Sequence, residues 1–166
     1  MPGDVAVRVA VAEDAEAIRR IYNVYVETST VTFDLVPRTL VDQRAWLAER
    51  TGAHTALVAV VHGEVVGFGS LSPYRSRPAY STSVEDSVYV DVEHHGRGVG
   101  KALLTALVEA ADRSGFHAVF ARIVGGHDAS IRLHHGLGFE LVGTEREVGR
   151  KFGRWLDVVV MERLVR

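Results

Sequence analysis

The sequence predicts a mixed α/β fold, shading into α+β, with a central sheet. Three observations carry that expectation. Strand and helix patterns interleave over 166 residues in the order β-α-α-β-β, β-loop-α, β-α-β-β. A glycine-rich turn joins one strand directly to a strong amphipathic helix. Hydrophobic residues make up 47% and charged residues 24%, the balance of a chain that buries a core.

Each element has its own signal. Val5 to Ala10 alternates weakly and reads as a first strand. From Ala12 to Glu27, Ile18, Ile21, Tyr22 and Tyr25 recur at helical spacing, with Glu13, Asp14 and Glu16 in the first turn. Thr28 to Arg38 is a polar, β-branched loop, and Leu40 to Arg50 a short helix capped by Thr39, with Trp46 facing inward. His54 to Val61 and Glu64 to Leu71 form a hairpin about His62-Gly63. Ser72 to Ser81 is a loop and Thr82 to Val92 a strand; Gly98 to Arg113 is the amphipathic helix, stopped by Gly115. Phe116 to Val124 is a strand, Ala129 to Leu137 a short helix, and Phe139 to Arg146 and Trp155 to Arg163 are the last strands. Strict alternation along Thr82 to Val92 groups Asp86 with Val84, Val88 and Val90, and a β-bulge near Asp86 is expected to relieve that conflict.

Nothing marks an internal repeat or linker, so residues 1–166 read as one domain. A net charge of −2 disfavours general nucleic-acid binding. The lack of Cys removes disulfides, zinc–thiolate sites and a thiol nucleophile. Met1-Pro2-Gly3-Asp4 lacks a signal-peptide pattern, and no apolar run reaches the roughly 18–20 residues that span a bilayer. A cytoplasmic protein without membrane contact is expected. The eight histidines show no His-x-x-x-His pairing and no gathered carboxylates, so no metal site is expected.

The turn His95-Gly96-Arg97-Gly98-Val99-Gly100-Lys101 carries chemistry. Glycines at alternate positions leave backbone N–H groups free to converge on one anion, and the helix N-terminus behind them adds its unpaired donors. This arrangement suits a phosphate or pyrophosphate. A dinucleotide fold expects Gly-x-Gly-x-x-Gly near the first strand and an acidic residue about 20 positions on. Here the spacing is Gly-x-Gly-x-Gly in mid-chain, and the residues near 120 are Phe120, Ala121 and Arg122.

This turn, the later run Ile131-Arg132-Leu133-His134-His135-Gly136-Leu137-Gly138-Phe139 and the order of elements resemble the GNAT superfamily of N-acetyltransferases. Glu27 to Phe33, Pro73 to Tyr80, Ser83 to Val90 and Glu147 to Val158 resemble its phosphinothricin and methionine-sulfoximine acetyltransferases. The resemblance implies a mostly antiparallel, twisted sheet flanked by helices and splayed where acetyl-CoA enters. It implies acetyl transfer from acetyl-CoA, without metal, to the α-amine of phosphinothricin, methionine sulfoximine or methionine sulfone, in a homodimer. Coenzyme-A pyrophosphate would lie on Gly96 to Lys101, with His95 and His127 nearby, and pantetheine along Val88, Tyr89 and Val90. Two positions depart from the family's usual residues: His95 stands where Arg or Gln is usual, and His127 where Asn is usual. Glu85 is implied as general base, and His134 as an acid or donor for the leaving thiolate. The substrate would meet Phe33, Arg75, Ser76, Arg77 and Tyr80 together with Glu85, Asp86 and Ser87.

Bland readings stand beside these. Glu85 also fits a solvated strand carboxylate, Arg75 and Arg77 surface charge, and His134 a partly buried helix residue. Two rival functions stand as well. Acetylation of a protein N-terminus, lysine or another amine calls for an open acidic groove, whereas an idle acyl-CoA sensor leaves Glu85 without a task.

Overall fold

The computed structural model describes residues 4–165, so the reading of Met1 to Gly3, and both ends of the expected domain span, lie outside it. The strands are β1 (Ala6–Val9), β2 (Ala56–Val61), β3 (Glu64–Pro73), β4 (Ser83–Val90), β5 (Ala118–Val124), β6 (Glu140–Lys151) and β7 (Arg154–Leu164). The α-helices are α1 (Ala15–Thr28), α2 (Leu40–Ala48), α3 (Val99–Arg113) and α4 (Asp128–Gly136). They form one seven-stranded sheet in the order β1-β2-β3-β4-β5-β7-β6, antiparallel except where β4 meets β5.

Two apolar clusters sandwich the sheet. On one face Leu103, Leu104 and Leu107 of α3 pack on Leu57, Val84 and Val119. On the other, Ile18, Tyr22 and Tyr25 of α1 pack with Leu47 on Val58 and Phe68. Trp46 is half-buried and meets Phe68 edge-on at 5.9 Å. Thr39 caps α2 as expected, its hydroxyl accepting the Asp42 N–H at 3.1 Å.

The feature that positions the site is the short parallel ladder. β4 and β5 pair only over Ser83 to Glu85 opposite Ala118 to Phe120, and then part. The expected bulge near Asp86 is absent: β4 runs against β3 without a register shift from Gly67↔Val90 to Pro73↔Val84. Asp86 resolves its conflict among valines by finding a buried partner instead. β6 is longer than the sequence suggested. It passes through an irregularity between Glu145 and Gly149, where Glu147 takes φ 54° and donates its N–H to Asp157 Oδ1 at 2.8 Å.

Candidate active site

A cleft of about 580 Å³ opens where β4 and β5 part. Of the residues that the resemblance assigns to the cofactor, Val88, Tyr89, Val90, His95, Gly96, Gly98, Val99, Gly100, Lys101 and His127 line it; Arg97 is exposed outside it. The backbone of β4 is available there. The Asp91 N–H turns to Val66 O on β3 at 2.8 Å, so by alternation the N–H and C=O of Val88 and Val90 face the cleft. Tyr25 Oη donates to Val90 O and meets His95 Nε2 at 2.7 Å, fixing the last peptide of the strand. Gly98, the N-cap of α3, has φ 80° and ψ 6°, a left-handed conformation that a side chain resists. The free amides of the turn and the first turn of α3 thus face one end of the cleft, and β4 amides face the other. An anionic, extended ligand fits this donor set.

Four imidazoles, from His94, His95, His127 and His134, border the cleft. His127 is half-buried at the start of α4; burial lowers its pKa and the nearby His95 and His134 lower it further.

His134 is almost fully buried, 3% exposed. Its Nδ1 lies 2.8 Å from the carbonyl of Ser130, which can only accept, and its Nε2 lies 3.0 and 3.1 Å from the two Asp86 carboxylate oxygens. Partners of that kind call for a proton on each nitrogen, hence an imidazolium paired with a carboxylate. Burial pulls the His134 pKa down, but the Asp86 hydrogen bond and charge and the Ser130 carbonyl outweigh it and raise the value. Asp86, expected beside Glu85 in the substrate site, therefore sits on the opposite face and serves His134.

Glu85, Ser87 and Tyr89 share the face that carries α1 and α2. Burial pushes the Glu85 carboxyl above its usual range, with Arg122 pulling it down and Asp86 pushing it up. Phe120 is opposite Glu85 in the ladder, and Tyr74 stacks on Phe120 at 4.2 Å. That stack ties the loop after β3 to the neighbourhood of Glu85. In the loop Arg75, Ser76, Arg77 and Tyr80 are exposed and line a hollow of about 340 Å³.

Phe33, placed by the resemblance at the substrate, lines neither hollow and lies against Gly149 of β6. A Cβ on Gly149 would stand 2.3 Å from its ring, so only glycine lets the ring lie there. The loop holding Phe33 is pinned on both sides. Lys151 Nζ donates to Thr32 O at 2.9 Å, and Tyr22 Oη meets Thr32 Oγ1 at 2.7 Å and donates to Asp34.

Sequence reasoning missed four participants. Tyr25 was read only as core, Asp86 was not matched to His134, and Arg122 and Glu145 drew no attention. Arg122 alone carried a signal, a charge in a strand of otherwise apolar residues. Among the described residues no group of three His, Asp or Glu gathers to hold a metal.

Comparison with known proteins identifies the class. Residues 18–139 match the Acetyltransferase (GNAT) family, and the chain belongs to that family. It is 43% identical to phosphinothricin N-acetyltransferase of Streptomyces coelicolor, an alignment covering 98% of this chain and 99% of that one. It is 40% identical to L-methionine sulfoximine/L-methionine sulfone acetyltransferase of Salmonella typhimurium, over 94% and 92% of the two chains. Among solved structures, a phosphinothricin acetyltransferase from Sinorhizobium meliloti in complex with acetyl-CoA superposes with a TM-score of 0.93. That pair is 39% identical over 96% of this chain and 88% of the other. The protein is an N-acetyltransferase whose co-substrate is acetyl-CoA.

Proposed function

We propose that the protein acetylates the α-amine of a small amino-acid analogue, with phosphinothricin, methionine sulfoximine and methionine sulfone as the candidate substrates. The observation that carries this reading is the Tyr74–Phe120 stack, which brings the arginine-bearing loop to the ladder position opposite Glu85, beside the cleft that the glycine turn lines. Relatives named for these substrates match nearly the whole chain.

Acetyl-CoA, held by the glycine turn and the β4 amides, supplies the thioester. Arg75 and Arg77 clamp the substrate carboxylate, their planar forks suiting that group. Glu85, whose raised pKa suits it to accept a proton near neutrality, takes the amine proton directly or through water. The Val90 N–H donates to the developing oxyanion. His134 carries positive charge at the cleft wall where the thiolate departs. Both of its N–H groups are engaged, by Ser130 and Asp86, so it stabilises the leaving group by charge, and a proton moves only if Nε2 leaves Asp86. Phe33 and Tyr80 flank the substrate.

With the reading go a cytoplasmic location and a homodimer. No described helix is long and apolar enough to cross a membrane. Leu141, Val142, Val148, Phe152 and Trp155 leave apolar surface exposed on edge strand β6 and its hairpin, a face a second copy would cover. Sedimentation velocity giving only a monomer at micromolar concentration would remove the dimer.

The function is tested by coenzyme-A thiol release with the three analogues, ordinary amino acids and a short peptide, in wild type and Glu85→Gln. Turnover on the analogues, reduced ~10²–10⁴-fold in the variant, is the expected result. Turnover only on peptide amines would shift the assignment to a protein acetyltransferase, and equal turnover in both proteins would remove Glu85 as base.

A further inference from the structure

Arg122 and Glu145 have no role so far, yet Arg122 approaches Glu85 where β4 and β5 part, and Glu145 meets Arg122. Arg122 follows Phe120 by two residues on β5, so its side chain emerges on the face that carries Phe120 and Glu85. Its Nε stands 3.6 Å from Glu85 Oε1, within reach of an ion pair but beyond a hydrogen bond. Its other arm is taken: Nη2 lies against Glu145 Oε1 on β6, an ion pair off hydrogen-bond alignment. Among the described residues nothing donates a hydrogen bond to the Glu85 carboxylate. One guanidinium therefore stands between two carboxylates, engaged with the one that has no assigned chemistry and held off the one that does.

This geometry has a clear electrostatic meaning. A carboxylate closed onto an arginine by two hydrogen bonds is a poor base, because its ionised form is stabilised by charge and donors together. A half-buried carboxylate with no cation nearby is protonated too readily to accept a proton near neutral pH. Glu85 sits between these extremes.

We propose that Arg122 is a positioning residue that sets the basicity of Glu85, and that Glu145 holds Arg122 at the distance this requires. The inference rests on the assignment of Glu85 as base. Asp86 neighbours Glu85 on β4 and opposes its ionisation. Ser72, opposite it on β3, is uncharged. Tyr89 lies further along the same face of β4 and feels the Glu85 charge. Arg75, in the loop, feels Glu145 rather than Glu85. Arg122 is thus the cation that governs Glu85, and Glu145 the anion that governs Arg122.

The test uses Arg122→Met, Glu145→Gln and the double variant, with two readouts. One is the acidic limb of the kcat/KM–pH profile. The other is the titration midpoint of the Glu85 carboxyl, followed by carbon-13 NMR in Glu-labelled protein and assigned by its loss in Glu85→Gln. Arg122→Met removes the cation, so both limb and midpoint move to higher pH. Glu145→Gln releases Arg122 onto Glu85, so both move to lower pH and the plateau rate falls with the weaker base. The double variant follows Arg122→Met, because Glu145 acts through Arg122. A wild-type midpoint in either single variant, or a full Glu145→Gln effect without Arg122, overturns the proposal. Failures remain separable. Midpoints that move as stated while Glu85→Gln keeps full turnover remove the base assignment and leave the Arg122–Glu145 device. Midpoints that stay put while Glu85→Gln is inactive remove the device and leave the base.

Discussion

The two faces of the β4 strand are built from different materials. The cleft assigned to acetyl-CoA, bordered by Tyr25 of α1 as well as by Val99 of α3, offers backbone donors: the turn at Gly96 to Gly100, the N-terminus of α3, and the β4 groups left open beyond Glu85. On the α1 side, the assigned substrate site is made of side chains from separate pieces of chain. Phe33 comes from the loop after α1, Arg75 from the loop after β3, Glu85 from β4, Arg122 from β5 and Glu145 from β6. A backbone site recognises what every acetyl-CoA shares and tolerates side-chain change around it. A side-chain site encodes which amine is accepted, and each of its members is open to replacement. The Asp86–His134 pair belongs to neither kind: it is a buried charge pair that joins β4 to α4 at the back of the cleft.

That pair gives the largest expected effect. Asp86→Ala leaves the His134 imidazole buried without its carboxylate, and removing one partner of a buried pair costs about 3–5 kcal/mol. The pH dependence follows from the direction of the shift. His134 has its pKa raised by folding, so its pairing stabilises the fold fully below the ordinary histidine value of ~6.5 and loses that contribution as pH climbs through the raised folded value. Urea unfolding of wild type and Asp86→Ala at pH 6 and pH 9 should show the gap narrowing at the higher pH. A gap independent of pH would mean that the pair holds through a neutral imidazole, and the charge at the cleft wall would have to be abandoned.

The contrast between the faces also explains what could be read in advance. The order of elements and the strand–turn–helix at Gly96 to Lys101 were legible, because glycine spacing and period-two or helical patterning are local signals; Val88 to Val90 came only through the family resemblance. Asp86 misled for a physical reason. A carboxylate among valines signals conflict, but alternation alone cannot say whether the backbone bulges or a distant histidine arrives to pair with it. Here His134 arrives, 48 residues later, and the strand stays regular. Arg122 stood out as a charge in an apolar strand, but its partner Glu145 was illegible for the same reason: the two side chains of β5 and β6 meet across β7, and no pattern within β6 announces it. The irregularity in β6 hid because its cause is Asp157, on the opposite strand.

Two glycine-to-alanine substitutions set the two kinds of surface directly against each other. At Gly98, φ is 80° and no atom lies within 4 Å of where a Cβ would stand, so the cost is backbone strain rather than collision. A left-handed residue with a Cβ costs roughly 1–2 kcal/mol, and a turn that relaxes away from this conformation disperses its amides. Gly98→Ala should therefore weaken acetyl-CoA binding about tenfold by calorimetry, the equivalent of ~1.4 kcal/mol, with the preference among amine substrates unchanged. At Gly149 the backbone is not left-handed, and the obstacle is the Phe33 ring, 2.3 Å from the added Cβ. That ring is 41% exposed and can swing aside, so folding should be nearly undisturbed. Gly149→Ala should leave acetyl-CoA affinity at the wild-type value while kcat/KM for the analogues falls several-fold, mostly through KM. If Gly149→Ala weakened acetyl-CoA binding as much as Gly98→Ala does, Phe33 and the glycine turn would belong to one coupled surface, and the division between the faces of β4 would not hold.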